Sequence, residues 1–130
     1  MLASDHPSMP HLTMQGNAVF RWAAYEMAKI AREVLDRSDL AIEDLDAFVP
    51  HQANKRITDA MARSMHLPDD VAVAQDIVDQ GNTSAASIPL ALHRMVSEGT
   101  VRPGQRALLL AFGAGLAYAG QVVTVPPTVR

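Results

Sequence analysis

The chain has 130 residues, the length of one domain able to bury roughly two-thirds of the surface its unfolded form exposes. Hydrophobic residues make up 48% and aromatic residues only 5%, the composition of an α/β globule rich in Ala, Val, Leu and Met; disordered, fibrous and membrane-spanning classes are excluded. A net charge of −3 argues against nucleic acid, and zero cysteines exclude a disulfide framework and a thiolate zinc site. The longest apolar run, Ala107 to Phe112, is far too short for a bilayer, and Met1 is not followed by a basic and then an apolar segment. A cytoplasmic protein without membrane contact is the expectation.

Residues 1–10 hold two prolines and no period, and read as a tail ahead of a domain over 11–130. His11-Leu12-Thr13-Met14 is a short strand candidate ended by Gly16. From Asn17 to Arg37 the pattern is helical, with Phe20, Ala23, Met27, Ile30, Ala31 and Val34 on one stripe. Arg32/Asp36 and Glu33/Arg37 form i,i+4 pairs opposite. A strand over Ala47-Phe48-Val49 is stopped by Pro50, which lacks a ladder donor. A second helix runs from Ala53 to His66, with Ile57, Ala60, Met61 and Met65 inward, and Val71–Ala74 is the next strand. Thr83 to Glu98 reads as a third helix with Ala85, Ile88, Leu92, Met95 and Val96 inward and Pro89 in its first turns. Arg106–Phe112 is a buried strand, and Leu116–Val125 pairs with it across Gly113-Ala114-Gly115. The order is therefore β-α-β-α-β-α-β-β, a mixed five-stranded sheet with helices packed on its faces.

Two segments carry chemistry: Val49-Pro50-His51-Gln52-Ala53-Asn54 and Gly81-Asn82-Thr83-Ser84-Ala85-Ala86-Ser87. Each offers a neutral hydrogen-bond donor where a strand or loop gives way to a helix, the place where open α/β sheets bind ligands. An imidazole and a carboxamide together can hold a developing oxyanion without changing net charge. Asn82 alone has an ordinary explanation as a helix cap beside a turn glycine. His6, His11, His66 and His93 show no ligand spacing, and no zinc motif is present. Gly113-Ala114-Gly115 with Gly120 fails the dinucleotide fingerprint, and Ser84 and Ser87 lie in no nucleophile elbow. Residues 51–66 carry Lys55, Arg56 and Arg63 against Asp59, a basic stretch readable as a solvated face or as a docking patch for a small acidic partner.

The segments from Phe48 to Asn54, from Gly81 to Ala91 and from Leu110 to Leu116 resemble β-ketoacyl-acyl-carrier-protein synthase III, and His11–Phe20 is similar to the opening of that family's second half. The resemblance covers residues 11 to 126 and implies the C-terminal half of a thiolase fold. It assigns His51 and Asn82 as the catalytic pair for decarboxylative condensation, with the Ala114 N–H in a second oxyanion hole. It further implies that Asn54, Met14, Gly16, Asn17 and Phe20 line a pantetheine tunnel, with Phe112 near the acyl pocket. Arg21, Lys55, Arg56 and Arg63 match a patch for the acidic carrier protein. An acyl-CoA and malonyl-carrier protein are the implied substrates, with no further cofactor and no metal. The nucleophilic cysteine belongs to an N-terminal half that must be a partner, so the chain alone is expected to be inactive. The alternatives are a related thiolase-fold acyltransferase or chain-starting ketosynthase, and a non-catalytic binding or assembly module. An apolar face on the helix from Thr83, with Ala85, Ala86, Ile88, Ala91 and Leu92, implies a homo-oligomer.

Overall fold

The computed structural model describes residues 16–113, 115 and 117–127. The tail and the strand expected over residues 11–14 lie outside them. Helix α1 spans Gly16–Arg37, α2 Lys55–Met65, α3 Ile77–Gln80 and α4 Ser87–Ser97; strands are β1 Ala47–Pro50, β2 Ala72–Val73, β3 Arg106–Gly113 and β4 Ala117–Thr124. The described sheet has four strands in the order β2-β1-β3-β4, where the sequence reading expected five. The strand β1 runs parallel to both β2 and β3, and β4 returns antiparallel to β3. No helix among the described residues is long and apolar enough to cross a membrane.

The period-2 alternation of the strands divides two cores. Phe48, Leu108 and Leu110 face α1 and α2, where Met27, Ala31, Leu35, Ile57, Met61 and Met65 meet them. Ala47, Val49 and Ala107 point the other way, toward Ala91 and Met95 of α4 and toward Val101 and Val125. All four inward residues expected on α2 are buried, together with Thr58. On α1, Met27 and Ala31 are buried as expected; Phe20, Ile30 and Val34 are only partly so, and Ala24, Ala28 and Leu35 complete the stripe. Arg37 and Glu33 pair at 2.6 Å, but Arg32 donates to the Ser64 carbonyl of α2. At Gly120 an added Cβ would lie 2.8 Å from Val34 Cγ2 and 2.9 Å from Leu110 Cδ1, so the missing side chain lets α1 approach β4.

Three local expectations need correction. The strand over 71–74 shortens to Ala72–Val73, an edge segment bonded through Ala72 N to Asp46 O and Ala74 N to Phe48 O. The third helix begins at Ser87 because Ser84 has φ +56°, which a continuing right-handed helix does not allow. Ala85 and Ala86 consequently sit in a short 3-10 turn, Ser84–Ala86, and are exposed; Ala91 is buried against the sheet. Helix α3, absent from the sequence reading, lies just before Gly81.

Candidate active site

His51 is placed by the sheet itself. Pro50 is the last residue of β1, and the His51 N–H donates to the Leu110 carbonyl at 2.8 Å, a final ladder bond to β3. Its imidazole is half-buried: Nδ1 lies 2.6 Å from the Ser87 hydroxyl, and the ring meets Phe112 edge-to-face with centroids 5.4 Å apart. Burial holds the His51 pKa below its ordinary value, because water no longer solvates the imidazolium well. His51, Ser84, Ser87, Ile88, Ala111 and Phe112 are among the residues lining an open cavity of about 340 Å³.

Gln52 ties the two motifs together. It is buried, and its side chain donates to the Pro50 carbonyl at 2.8 Å while accepting the Ile77 N–H of α3 at 3.0 Å. Its backbone N–H donates to Ser87 Oγ at 3.1 Å. Arg94 of α4 holds α3 from the other side through Asp76 (2.9 Å to a carboxylate only 4% exposed) and Asp79. The Asn82 loop is thus anchored at both ends, by Gln52 and Arg94 before it and by Ser87 after it.

Within the loop, Gly81 has φ +68° and ψ −164°, a conformation almost confined to glycine. Asn82 is exposed and its Oδ1 accepts the Ser84 N–H at 2.8 Å, an Asx turn. That bond occupies the carboxamide oxygen and leaves the Nδ2 hydrogens facing outward with no partner among the described residues. The cap position of the 3-10 turn belongs to Thr83 and that of α4 to Ala86, neither with a side-chain cap bond. Thr83 Oγ1 is buried without a hydrogen-bond partner among the described residues.

The remaining sequence-derived residues divide. Asn54 is the N-cap of α2, its Oδ1 accepting the Arg56 N–H at 2.8 Å. Phe20 lies beneath the Arg56 guanidinium, 5.8 Å from its ring centroid, in a cation–π contact joining α1 to α2. Lys55 pairs with Asp59 at 2.8 Å, as a solvated helix face would, and Arg63 is exposed in the last turn of α2. Gly16 opens α1. Met14 and Ala114 lie outside the described residues, as do the side chains of Asn17 and Arg21. Sequence reasoning missed Gln52, Ser87, Asp76 and Arg94. Gln52 adjoins His51 and Ser87 closes the Asn82 segment, so both were visible as neighbours of the motifs, but no short-range pattern reveals a bond spanning 35 positions.

Comparison with known proteins identifies the family. Residues 35–125 match the family model for the C-terminal part of 3-oxoacyl-[acyl-carrier-protein] synthase III. The β-ketoacyl-[acyl-carrier-protein] synthase III of Streptomyces glaucescens is 54% identical over 90% of this chain and 35% of its own length. A Streptomyces coelicolor synthase III is 55% identical over 90% of this chain and 34% of its own. Among solved structures, the priming β-ketosynthase of the R1128 polyketide pathway superposes with a TM-score of 0.87 at 49% identity, covering 91% of this chain and 35% of that one. The Pseudomonas aeruginosa synthase III gives 0.84 at 42% identity, covering 91% and 36%. The chain spans about a third of the length of the curated relatives it matches. With thiolase-like synthase III structures as its neighbours and a matching C-terminal domain, this chain belongs to the 3-oxoacyl-[acyl-carrier-protein] synthase III family of acyltransferases, of which it carries the C-terminal part.

Proposed function

We propose that this chain supplies the His51/Asn82 pair for a decarboxylative condensation that starts fatty-acid synthesis, acting with an N-terminal part that brings the acyl-cysteine. One observation carries the reading: each donor has one polar atom held by a protein group, Nδ1 of His51 at Ser87 and Oδ1 of Asn82 at the Ser84 N–H. What remains of each is its other nitrogen, Nε2 of His51 and Nδ2 of Asn82. An oxyanion hole needs such preorganisation, because donors already aimed need no rearrangement when charge develops.

In the reaction, the bond from the malonyl thioester to its carboxylate breaks and carbon dioxide leaves. The electron pair passes into the thioester, whose oxygen becomes enolate-like and is held by His51 and Asn82. The new carbanion attacks the acyl-cysteine carbonyl, a carbon–carbon bond forms, and the cysteine leaves as thiolate. The lowered His51 pKa supports a neutral donor. Ala114 N–H would serve the second oxyanion hole. Asn54, Phe20 and Phe112, with Met14, Gly16 and Asn17, would receive the pantetheine and acyl chains of the coenzyme A thioester and the carrier protein. Arg21, Arg56, Lys55 and Arg63 would meet the acidic carrier protein in the cytoplasm. The 49% identity to a priming β-ketosynthase of a polyketide pathway favours, as the second reading, a chain-starting ketosynthase that differs in acyl primer and not in architecture.

The chain contains no cysteine, so purified alone it should not condense acetyl-CoA with malonyl-carrier protein. Mixing with a cysteine-bearing N-terminal part should restore turnover, and His51→Ala or Asn82→Ala should then each lower kcat by about 10²–10³. Turnover by the chain alone, or full activity in both variants, would sink the reading. A mixture that binds carrier protein but never turns over would instead identify an assembly module.

A further inference from the structure

Ser87 is the first residue of α4, buried to 1% exposure, and lies between two polar groups: Nδ1 of His51 at 2.6 Å and the backbone N–H of Gln52 at 3.1 Å. Among the described residues these are the only hydrogen-bonding neighbours of its hydroxyl. A serine hydroxyl has one hydrogen to give and two lone pairs to receive. The Gln52 N–H can only donate, and so it occupies one lone pair. Two arrangements of the His51 contact remain. If Nδ1 carried the hydrogen, it would donate to Oγ, and the hydroxyl hydrogen would be stranded in a buried site with no acceptor. If Nδ1 is bare, the hydroxyl donates to it, and the Gln52 N–H, the Ser87 hydroxyl and His51 Nδ1 are all satisfied at once.

We propose that Ser87 is a positioning residue: by donating to Nδ1 it holds neutral His51 as the tautomer with its hydrogen on Nε2. The Phe112 ring, edge-on at 5.4 Å, packs against the imidazole and restricts its rotation. The same contact opposes protonation, since an imidazolium would place a hydrogen on Nδ1 and turn the serine hydrogen away from its acceptor. Catalytic importance of this tautomer rests on the reading of His51 as an oxyanion donor given above; the tautomer itself does not.

The test is nitrogen NMR of the ¹⁵N-labelled chain at about pH 8, where an ordinary histidine is neutral. The His51 resonances are assigned by their loss in His51→Gln. The expected spectrum has a pyridine-like Nδ1 and a pyrrole-like Nε2; a pyrrole-like Nδ1 would overturn the proposal without any variant. In Ser87→Ala the two shifts should move toward each other as both tautomers become populated, and shifts unchanged from the parent would also refute it. With an N-terminal part supplied, Ser87→Ala should lower kcat about tenfold while leaving KM near its starting value, as expected of a misaimed donor. Unaltered kcat would remove the positioning role. An Nε2–H tautomer in a complemented enzyme indifferent to His51→Ala would leave Ser87 standing and strike the proposed function instead.

Discussion

The two faces of the sheet are built on different plans. On one, α1 and α2 cover Phe48, Leu108 and Leu110 with methionines and leucines in a closed cluster, and beyond it, between α1 and β4, a cavity of about 470 Å³ opens. On the other, α4 covers β1 and the start of β3 through Ala91 and Met95, while Ala111, Ala119 and Gln121 border open cavities. On this second face Leu90 remains 44% exposed. The first face makes the fold stand. The second holds the candidate chemistry.

The sharpest way to break this contrast is to remove the largest side chain of the closed face. Phe48 is fully buried, and Phe48→Ala should lower unfolding free energy by about 3–5 kcal/mol through lost transfer energy and a cavity. Urea denaturation measures it; a loss below 1 kcal/mol would mean the closed face is not the foundation. Truncation on the open face should behave otherwise. Leu90→Ser should change stability by no more than about 0.5 kcal/mol. Light scattering at micromolar concentration should show a parent chain that self-associates through its uncovered face and a variant that does so less. The exposed contributors there are Ala85, Ala86, Pro89 and Leu90, since Ala91 is already buried against the sheet. A parent chain that is monomeric and binds no hydrophobic dye would end that expectation.

The smallest effect is pH dependence. His51 has a folded-state pKa below its unfolded value near 6.5, so the unfolded chain takes up the proton first. Its contribution to stability is therefore fully present above about pH 6.5. It fades as pH falls below that point toward the folded value. Comparing urea midpoints of the parent and His51→Gln from about pH 8 down to 5 should show the parent losing ground as the pH drops; a gap that widens in the parent's favour on acidification would contradict the burial argument.

Element order and both motifs were legible in the sequence because they depend on local signals: apolar period, the stop at Pro50, the small residues around Asn82. Other features depended on contacts that no local pattern encodes. Ser84 reads as an ordinary helix residue until its positive φ is seen, and that conformation moves the start of α4 to Ser87. Ser87 lies in no nucleophile elbow, yet its hydroxyl meets His51 Nδ1 across 36 positions of chain. Gly120 looks like the remnant of a failed dinucleotide motif, yet its bare Cα is what admits Val34.

The double anchoring of the Asn82 loop has a consequence for when conformational freedom is lost. A free loop carrying one donor would surrender backbone entropy of roughly 1–2 kcal/mol per residue at the moment a substrate arrives. Here Gln52, Arg94 and Ser87 impose that loss during folding of the chain itself. On the function proposed above, a substrate would meet this loop already formed, and joining an N-terminal part to the chain would leave that loop with no order still to gain.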